Sequence, residues 1–238
     1  MHILIFGQDP RFSVIEKELS KKYKVDISSN LNIDLTKYDI IILPMTGIKD
    51  KKDIELLKHS RNDVTIYTGL KNNLESLNKN VISFLDDQKI IEENNSITVA
   101  GIIDYISKNK SDKICILGYG NIGKKLYKKL QNKILGVGII KLLDKIELGD
   151  IAFYTSDHLR MLQILNKSDL IINTVPENII TEDIAQYLDT KVLDIASYPY
   201  GVNNEIVEKY KLDYYLYYGI HGKYDPERAG KILLKKFN

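Results

Sequence analysis

The stretch Lys113-Ile114-Cys115-Ile116-Leu117-Gly118-Tyr119-Gly120-Asn121-Ile122-Gly123-Lys124-Lys125 decides how this chain is read. Four apolar residues, Ile114 to Leu117, predict a buried strand. They run into Gly118-x-Gly120-x-x-Gly123, after which Ile122, Leu126 and Leu130 recur on one face of a helix. Each glycine has a physical task in such a turn. Gly118 permits the tight bend, Gly120 lets the backbone approach a pyrophosphate, and Gly123 lets the helix lie close on the sheet. Free N–H groups and the positive end of the helix dipole then face the anion. This setting predicts a dinucleotide site built from Gly118, Tyr119, Gly120, Asn121, Ile122 and Gly123; a purely structural turn is the alternative.

Outward from that stretch, short apolar runs alternate with amphipathic segments in both directions. Before it, His2 to Phe6, Lys24 to Ile27, Ile40 to Leu43, Val64 to Tyr67 and Val81 to Phe84 read as strands. Helices are expected around Phe12 to Leu19, around Ile54 and Leu57, and around Leu70, Leu74 and Leu77. The polar stretch Asp86 to Asn95 marks a domain boundary, and an apolar helix from about Ser96 to Ile106 follows it. After the glycine turn, strands are expected at 133–140, 150–154, 169–173, 191–196 and 213–217, with helices at 141–148, 157–165, 203–210 and 228–237. Strand and helix alternating at this spacing argue for parallel right-handed crossovers. The expected architecture is α/β with two doubly wound parallel-sheet domains: residues 1–93, and a Rossmann-like domain over 94–238 closed by the C-terminal helix.

Composition excludes several function classes. Lys and Arg number 34 against 32 Asp and Glu, so no charge excess calls for nucleic acid or an anionic membrane. A hydrophobic content of 44% supplies ample core for 238 residues, and a mean hydropathy of -0.21 is that of a soluble chain. The single cysteine, Cys115, excludes an intrachain disulfide and a zinc site built on cysteine pairs. No metal site is expected. Met1 to Gly7 lacks the basic flank and cleavage site of a signal peptide, and the reading is cytoplasmic.

In a parallel sheet, ligands bind beyond the carboxyl ends of the strands. Asn173-Thr174-Val175-Pro176 is expected beside a nicotinamide ribose, with an ordinary loop as the alternative. Asp9 and Arg11 follow the first strand: a carboxylate to orient groups and a guanidinium to hold a substrate carboxylate, or simply a salt bridge at a helix start. His221 lies between Gly219 and Gly222 at a strand end, where imidazole could act as acid or base; a surface loop histidine is the bland reading. A ribose-binding acid is expected about 20 residues past the fingerprint. The segment Leu135 to Lys141 supplies none before Asp144, nor an arginine for a 2′-phosphate. NAD and NADP therefore both remain open.

Taken together, these landmarks resemble the dipicolinate synthase A-subunit family over nearly the whole chain. The matching stretches are Ile3 to Arg11 with its Gly-x-Asp-x-Arg, Ile41 to Pro44, Asn95 to Gly101 and Leu117 to Gly123. They continue with Ile172 to Pro176, Leu193-Asp194-Ile195-Ala196-Ser197-x-Pro199, and Gly219 to Gly222 followed by Pro226 and Ala229 to Leu233. The family is related in layout to two-domain NAD(P)-dependent hydroxyacid dehydrogenases. The resemblance implies oxidation of dihydrodipicolinate, or of 4-hydroxytetrahydrodipicolinate, to pyridine-2,6-dicarboxylate in the mother cell of a spore-former. It also implies two partners: a flavoprotein-like B subunit, and a small dicarboxylate as substrate.

On this reading Arg11, Thr46, Ser96, Thr98 and Ser197 bind substrate, while His221 and Asp9 are the catalytic candidates. The chain departs from the family pattern at Ala100, where Glu is usual, at Tyr198, where Arg is usual, at Tyr200, where Gly is usual, and around His221, where Tyr218-Gly219-Ile220-His221-Gly222 replaces the usual Pro-Gly-Leu-Pro-Gly. A non-catalytic nucleotide- or partner-binding scaffold of the same fold is the rival hypothesis. Another small NAD(P)-dependent hydroxyacid or amino-acid dehydrogenase is the third. The sequence leaves the oligomeric state open, a homo-oligomer included.

Overall fold

The structure is a computed structural model that describes residues 1–237. The chain divides into two compact units: Met1–Asn94 together with the segment from His221 on, and Asn95–Ile220.

The first unit carries β1 (His2–Phe6), α1 (Phe12–Leu19), β2 (Lys24–Ser28), β3 (Ile40–Ile42), α2 (Lys51–Lys58), β4 (Thr65–Thr68) and β5 (Asn80–Ser83). All pairings are parallel and the strand order is β2-β1-β3-β4-β5. The order reverses between β1 and β3, so a crevice opens beyond their carboxyl ends, where Gly7 to Arg11 follow β1. Leu4, Ile41 and Ile66 are fully buried in one core with Leu31, Leu57 and Leu74. Strands buried on both faces explain why their sequences are continuous apolar runs rather than alternating ones.

Helix α3 (Gln88–Lys108) runs through the division between the units. The second unit continues with β6 (Ile114–Leu117), α4 (Asn121–Leu130), β7 (Ile134–Ile139), α5 (Leu142–Leu148), β8 (Ala152–Tyr154), α6 (His158–Leu165) and β9 (Leu170–Asn173). It ends with α7 (Glu182–Ala185), β10 (Val192–Asp194), α8 (Asn204–Tyr210) and β11 (Tyr214–Leu216). The sheet order is β11-β10-β9-β6-β7-β8, all parallel. Counted from β6, that is the 3-2-1-4-5-6 order of the dinucleotide-binding α/β fold. Ile114, Ile116, Ile172 and Leu193 face one core, and Cys115, Leu117 and Ile171 the other, all fully buried. Side-chain acceptors close several helix starts: Asp157 accepts from the Arg160 N–H of α6, and Asn203 from the Glu205 N–H of α8.

Four expectations need correction. Leu70, Leu74 and Leu77 do not lie on an α-helix: only a single tight turn forms at Leu74–Leu77, bounded by Asn73 and Asn78 in left-handed conformations that stop a helix. The helix expected from about Ser96 begins earlier, at Gln88: most of the polar stretch Asp86 to Asn95 forms the first turns of α3, with Ile90 and Asn94 buried, and the division between the units falls within it. His221 is not in a loop but in α9 (Ile220–Tyr224). The closing helix, α10 (Pro226–Leu234), belongs to the first unit, against α1. Small residues permit that seating, since a Cβ on Gly230 would come within 2.9 Å of the Val14 side chain.

Ile172 is fully buried in β9, at the centre of the second sheet. Ile172→Ala is expected to cost roughly 2–5 kcal/mol, the range for emptying such a site, read as a lower midpoint in equilibrium denaturant unfolding.

Candidate functional site

At the switch point of the second sheet the ends of β6 and β9 lie side by side. Gly118 has φ +102°, and a Cβ there would fall 2.4 Å from the Thr174 hydroxyl oxygen and 2.7 Å from Val175. Only glycine suits both the angle and the space. A Cβ on Gly123 would fall 2.1 Å from the Gly118 carbonyl, so α4 is seated directly over the end of β6. Gly120 is different: nothing lies within 4 Å of where its Cβ would be. The turn is packed tight beneath and open above. Gly120 caps α4 without any side-chain bond, and the first turn holds no acid, so no side chain meets the first backbone N–H groups or the positive end of the dipole.

The Tyr119 side chain packs into the core beside β7. It is buried, its hydroxyl donates to Glu147 at 2.8 Å, and burial followed by that carboxylate pushes its pKa up. Lys124 lies 4.9 Å over the same ring and also reaches Glu147. Beyond β7 the chain presents exposed Ile140 and Lys141, and Asp144 falls inside α5 rather than at the strand end.

A buried carboxylate organises the neighbouring strand ends. Asp194, fully buried at the end of β10, accepts from the Asn173 amide (2.9 Å), the Ala196 N–H (2.9 Å), the Gly201 N–H (2.7 Å) and the Tyr214 hydroxyl (2.9 Å). Burial and this carboxylate push the Tyr214 pKa up. Asn173 also donates to the Val175 carbonyl and accepts from the Val175 N–H, so its side chain holds the strand end in shape. Thr174 donates its hydroxyl to the Leu117 carbonyl at 3.0 Å. Asp194 escaped the sequence reading of site residues; an acid ending an otherwise apolar strand was the available signal.

The loop that Asp194 holds contains Ser197, Tyr198, Pro199 and Tyr200. Tyr200 has φ +69°, a conformation that costs an L-residue roughly 1–2 kcal/mol. Of the other non-glycine residues with positive φ, Asn73 and Asn78 are of a tolerant type, and Lys110 and Lys211 follow helix ends. Tyr200 has neither excuse. Ser197 is exposed.

In the first unit, Arg11 is buried and clasps Asp9. Its Nε donates to one carboxylate oxygen at 2.6 Å, its Nη2 to the other, and its backbone N–H to the first again at 3.0 Å. Gly222 lies against the guanidinium, so that a Cβ there would be 3.2 Å from Cζ. Nη1 is buried and has no hydrogen-bond partner. A buried donor without an acceptor is costly, so this nitrogen is the one part of the guanidinium whose hydrogen-bonding demand is unmet. His221 sits by the same pair; burial first, then the Arg11 charge, lowers its pKa to about 4. Asp9, Arg11 and His221 are thus brought together. Thr46 is exposed in the turn after β3.

Ser96 and Thr98 lie on α3 in the second unit: Ser96 receives Lys125 at 3.4 Å, and Thr98 is buried. No helix among the described residues is long and apolar enough to cross a membrane, and no cluster of three metal-ligating side chains occurs among them.

No family model matches the sequence, and no curated protein does. Solved structures do match. The dipicolinate synthase A-subunit from Bacillus halodurans aligns at 22% identity over 99% of this chain and 96% of that one, with a TM-score of 0.80. Its counterpart from Bacillus subtilis aligns at 21% over 100% and 94%, with a TM-score of 0.77. The chain has the fold of these dipicolinate synthase polypeptides. A 2-hydroxyacid dehydrogenase from Ketogulonicigenium vulgare matches more distantly, at 12% identity over 99% and 93% of the two chains and a TM-score of 0.61. The dehydrogenase-like layout implied by the family resemblance is therefore the observed one.

Depression of the His221 pKa from 6.5 to about 4 links stability to pH. The unfolded chain takes up the proton more readily than the folded one. The contribution is therefore complete above pH 6.5 and lost as pH falls toward 4, about 3 kcal/mol in all. Denaturant unfolding of the wild type and His221→Gln at pH 7 and pH 4.5 should show the wild type losing more stability than the variant.

Proposed function

We propose that this chain is a nicotinamide-dependent oxidoreductase of the dipicolinate synthase A type, acting on dihydrodipicolinate or 4-hydroxytetrahydrodipicolinate with a flavoprotein-like second subunit. The observation that carries this reading is the turn at Gly118 to Gly123: closed below by Thr174, Val175 and the Gly118 carbonyl, open above Gly120, and aimed at by an uncapped helix start. Those residues fit the pyrophosphate of NAD or NADP. The likeness of the whole fold to both Bacillus dipicolinate synthase polypeptides supports the substrate and the partner.

The roles follow from the chemistry of each group. Gly118, Gly120, Asn121, Ile122 and Gly123 would hold the pyrophosphate, with Thr174, Val175 and Pro176 beside the nicotinamide ribose. When bound, nicotinamide supplies the hydride acceptor that aromatisation of the ring requires. Arg11, oriented by Asp9, would present Nη1 to one substrate carboxylate, a charge-assisted bond stronger than a neutral one. His221 stays neutral well below pH 7, so its imidazole is in the form that accepts a proton. Thr46, Ser96, Thr98 and Ser197 would complete the substrate contacts.

The scaffold alternative rests on the departures at Ala100 and Tyr198 from the family's Glu and Arg, and on the missing acid after β7. That absence bears on which cofactor is held rather than on whether one is, because the pyrophosphate cradle is complete. With no carboxylate at the end of β7 to repel a 2′-phosphate and Lys141 exposed just after it, NADPH should bind at least as tightly as NADH.

Titration by cofactor fluorescence tests this directly. The wild type should bind NADPH, and Gly120→Val, whose side chain would fill the open face, should weaken binding at least tenfold. With dihydrodipicolinate and the second subunit present, the wild type should form the ultraviolet-absorbing pyridine dicarboxylate. No cofactor binding would overturn the reading, and binding without product would leave the scaffold alternative.

A further inference from the structure

The second sheet ends in two edge strands, β8 and β11, and they are finished differently. In a parallel pair the bonds to one neighbour fall on alternate residues, so the residues between them turn their main-chain groups to the open side. On β8 the Thr155 N–H donates to the Ile139 carbonyl, which turns the Ala152 carbonyl outward, and the Lys145 ammonium occupies it at 2.7 Å. A lysine at an edge discourages pairing with another strand. On β11 the Asp213 carbonyl accepts from the Val192 N–H, and the Tyr217 N–H donates to the Asp194 carbonyl. Tyr214 and Leu216 therefore turn their N–H and C=O groups outward. The run here is Tyr214-Tyr215-Leu216-Tyr217-Tyr218, strong strand formers with no charge and no proline among them. At its centre Tyr215 is 46% exposed, with its ring stacked on Tyr105 of α3 at 5.7 Å and 10°.

From this unguarded edge we infer that β11 is a dimerisation strand. A second copy of this chain adds its own β11 antiparallel, about a two-fold axis at Tyr215, and joins the two six-stranded sheets into one. The outward groups set the register. Tyr214 exchanges both main-chain bonds with Leu216 of the second copy, and Leu216 does so with its Tyr214. Tyr215 then faces itself across the axis in the closer, non-bonded position, where aromatic pairs are favourable. A two-fold contact is self-complementary, so one edge serves as its own partner. The charges agree. Asp213, held by Lys191 at 3.7 Å, falls opposite Tyr217 of the second copy, carboxylate to phenol. The two Asp213 residues stand about 13 Å apart along the strands, beyond the roughly 8 Å over which exposed charges interact at physiological salt. This inference goes beyond the oxidoreductase reading and does not depend on it. Through the Tyr214 hydroxyl on Asp194, the joint braces the ends of β10 and β9.

Sedimentation of the full chain from low to high micromolar concentration tests it, and should show a monomer–dimer equilibrium. Leu216→Pro deletes an outward N–H but no ladder bond to β10. Tyr215→Lys sets two ammonium groups on the axis. Each should weaken the dimer by about tenfold or more, with the circular dichroism of the wild type. Tyr215→Lys alters an exposed side chain, so it decides the matter should the proline variant fail to fold. Oxidation with diamide should lock Tyr215→Cys as a disulfide-linked dimer. Tyr217→Cys, whose thiols lie far apart in this register, should stay unlinked, and buried Cys115 takes no part.

A monomer at every concentration, or a dimer that survives Tyr215→Lys unchanged, would overturn the inference. So would cross-linking at Tyr217→Cys in place of Tyr215→Cys. NADPH binding by a monomeric chain would leave the oxidoreductase reading standing. A dimer with this register but no NADPH binding would do the reverse.

Discussion

Helix α4 can sit over the end of β6 only because Gly123 has no side chain to strike the Gly118 carbonyl. That approach fixes where the first turn of α4 points, and so where the unpaired N–H groups of the second unit gather. Thr174 and Val175 close the turn from below, and Thr174 ties the end of β9 to β6 through the Leu117 carbonyl. Asp194 then extends the same fixation to β10, to the tyrosine loop and to β11. Four strand ends are thus held in one frame, and the open space above Gly120 is what that frame leaves.

The first unit solves a different electrostatic problem. Arg11 and Asp9 are both largely withdrawn from water, where a lone ion is prohibitively costly, and their bidentate pairing offsets the cost. Pairing uses only two of the guanidinium's three nitrogens, and Gly222 covers a face without supplying an acceptor. The geometry therefore satisfies the charge while leaving a directional donor. Burial first, and then this same positive neighbour, keep His221 from carrying a second positive charge.

Legibility in the sequence followed the physics of each segment. Strands buried on both faces announce themselves as apolar runs, so Ile3 to Phe6, Ile114 to Leu117 and Leu170 to Ile172 were readable, as was the glycine turn. The helix expected at Leu70 to Leu77 failed because leucine spacing says nothing about backbone, and Asn73 and Asn78 take left-handed angles there. The start of α3 was hidden by its polarity, since Ile90 and Asn94 are few anchors among charged neighbours. Placement of α10 was illegible because chain order favours the nearer unit. The close approach at Gly230 reveals itself only in three dimensions. At the site, Asp9 with Arg11 could be read as either a salt bridge or a clamp, and the geometry contains the salt bridge with one donor left over.

Cys115, the only thiol of the chain, lies wholly buried on a central strand, and its burial raises its pKa. Such a sulfur is closed to alkylating reagents while the second sheet is intact, since the thiolate is the reactive form. Its labelling rate therefore clocks every opening, local or global, that exposes β6. The chain thus carries a single silent reporter at the centre of its second sheet, where protection can be timed without adding a probe.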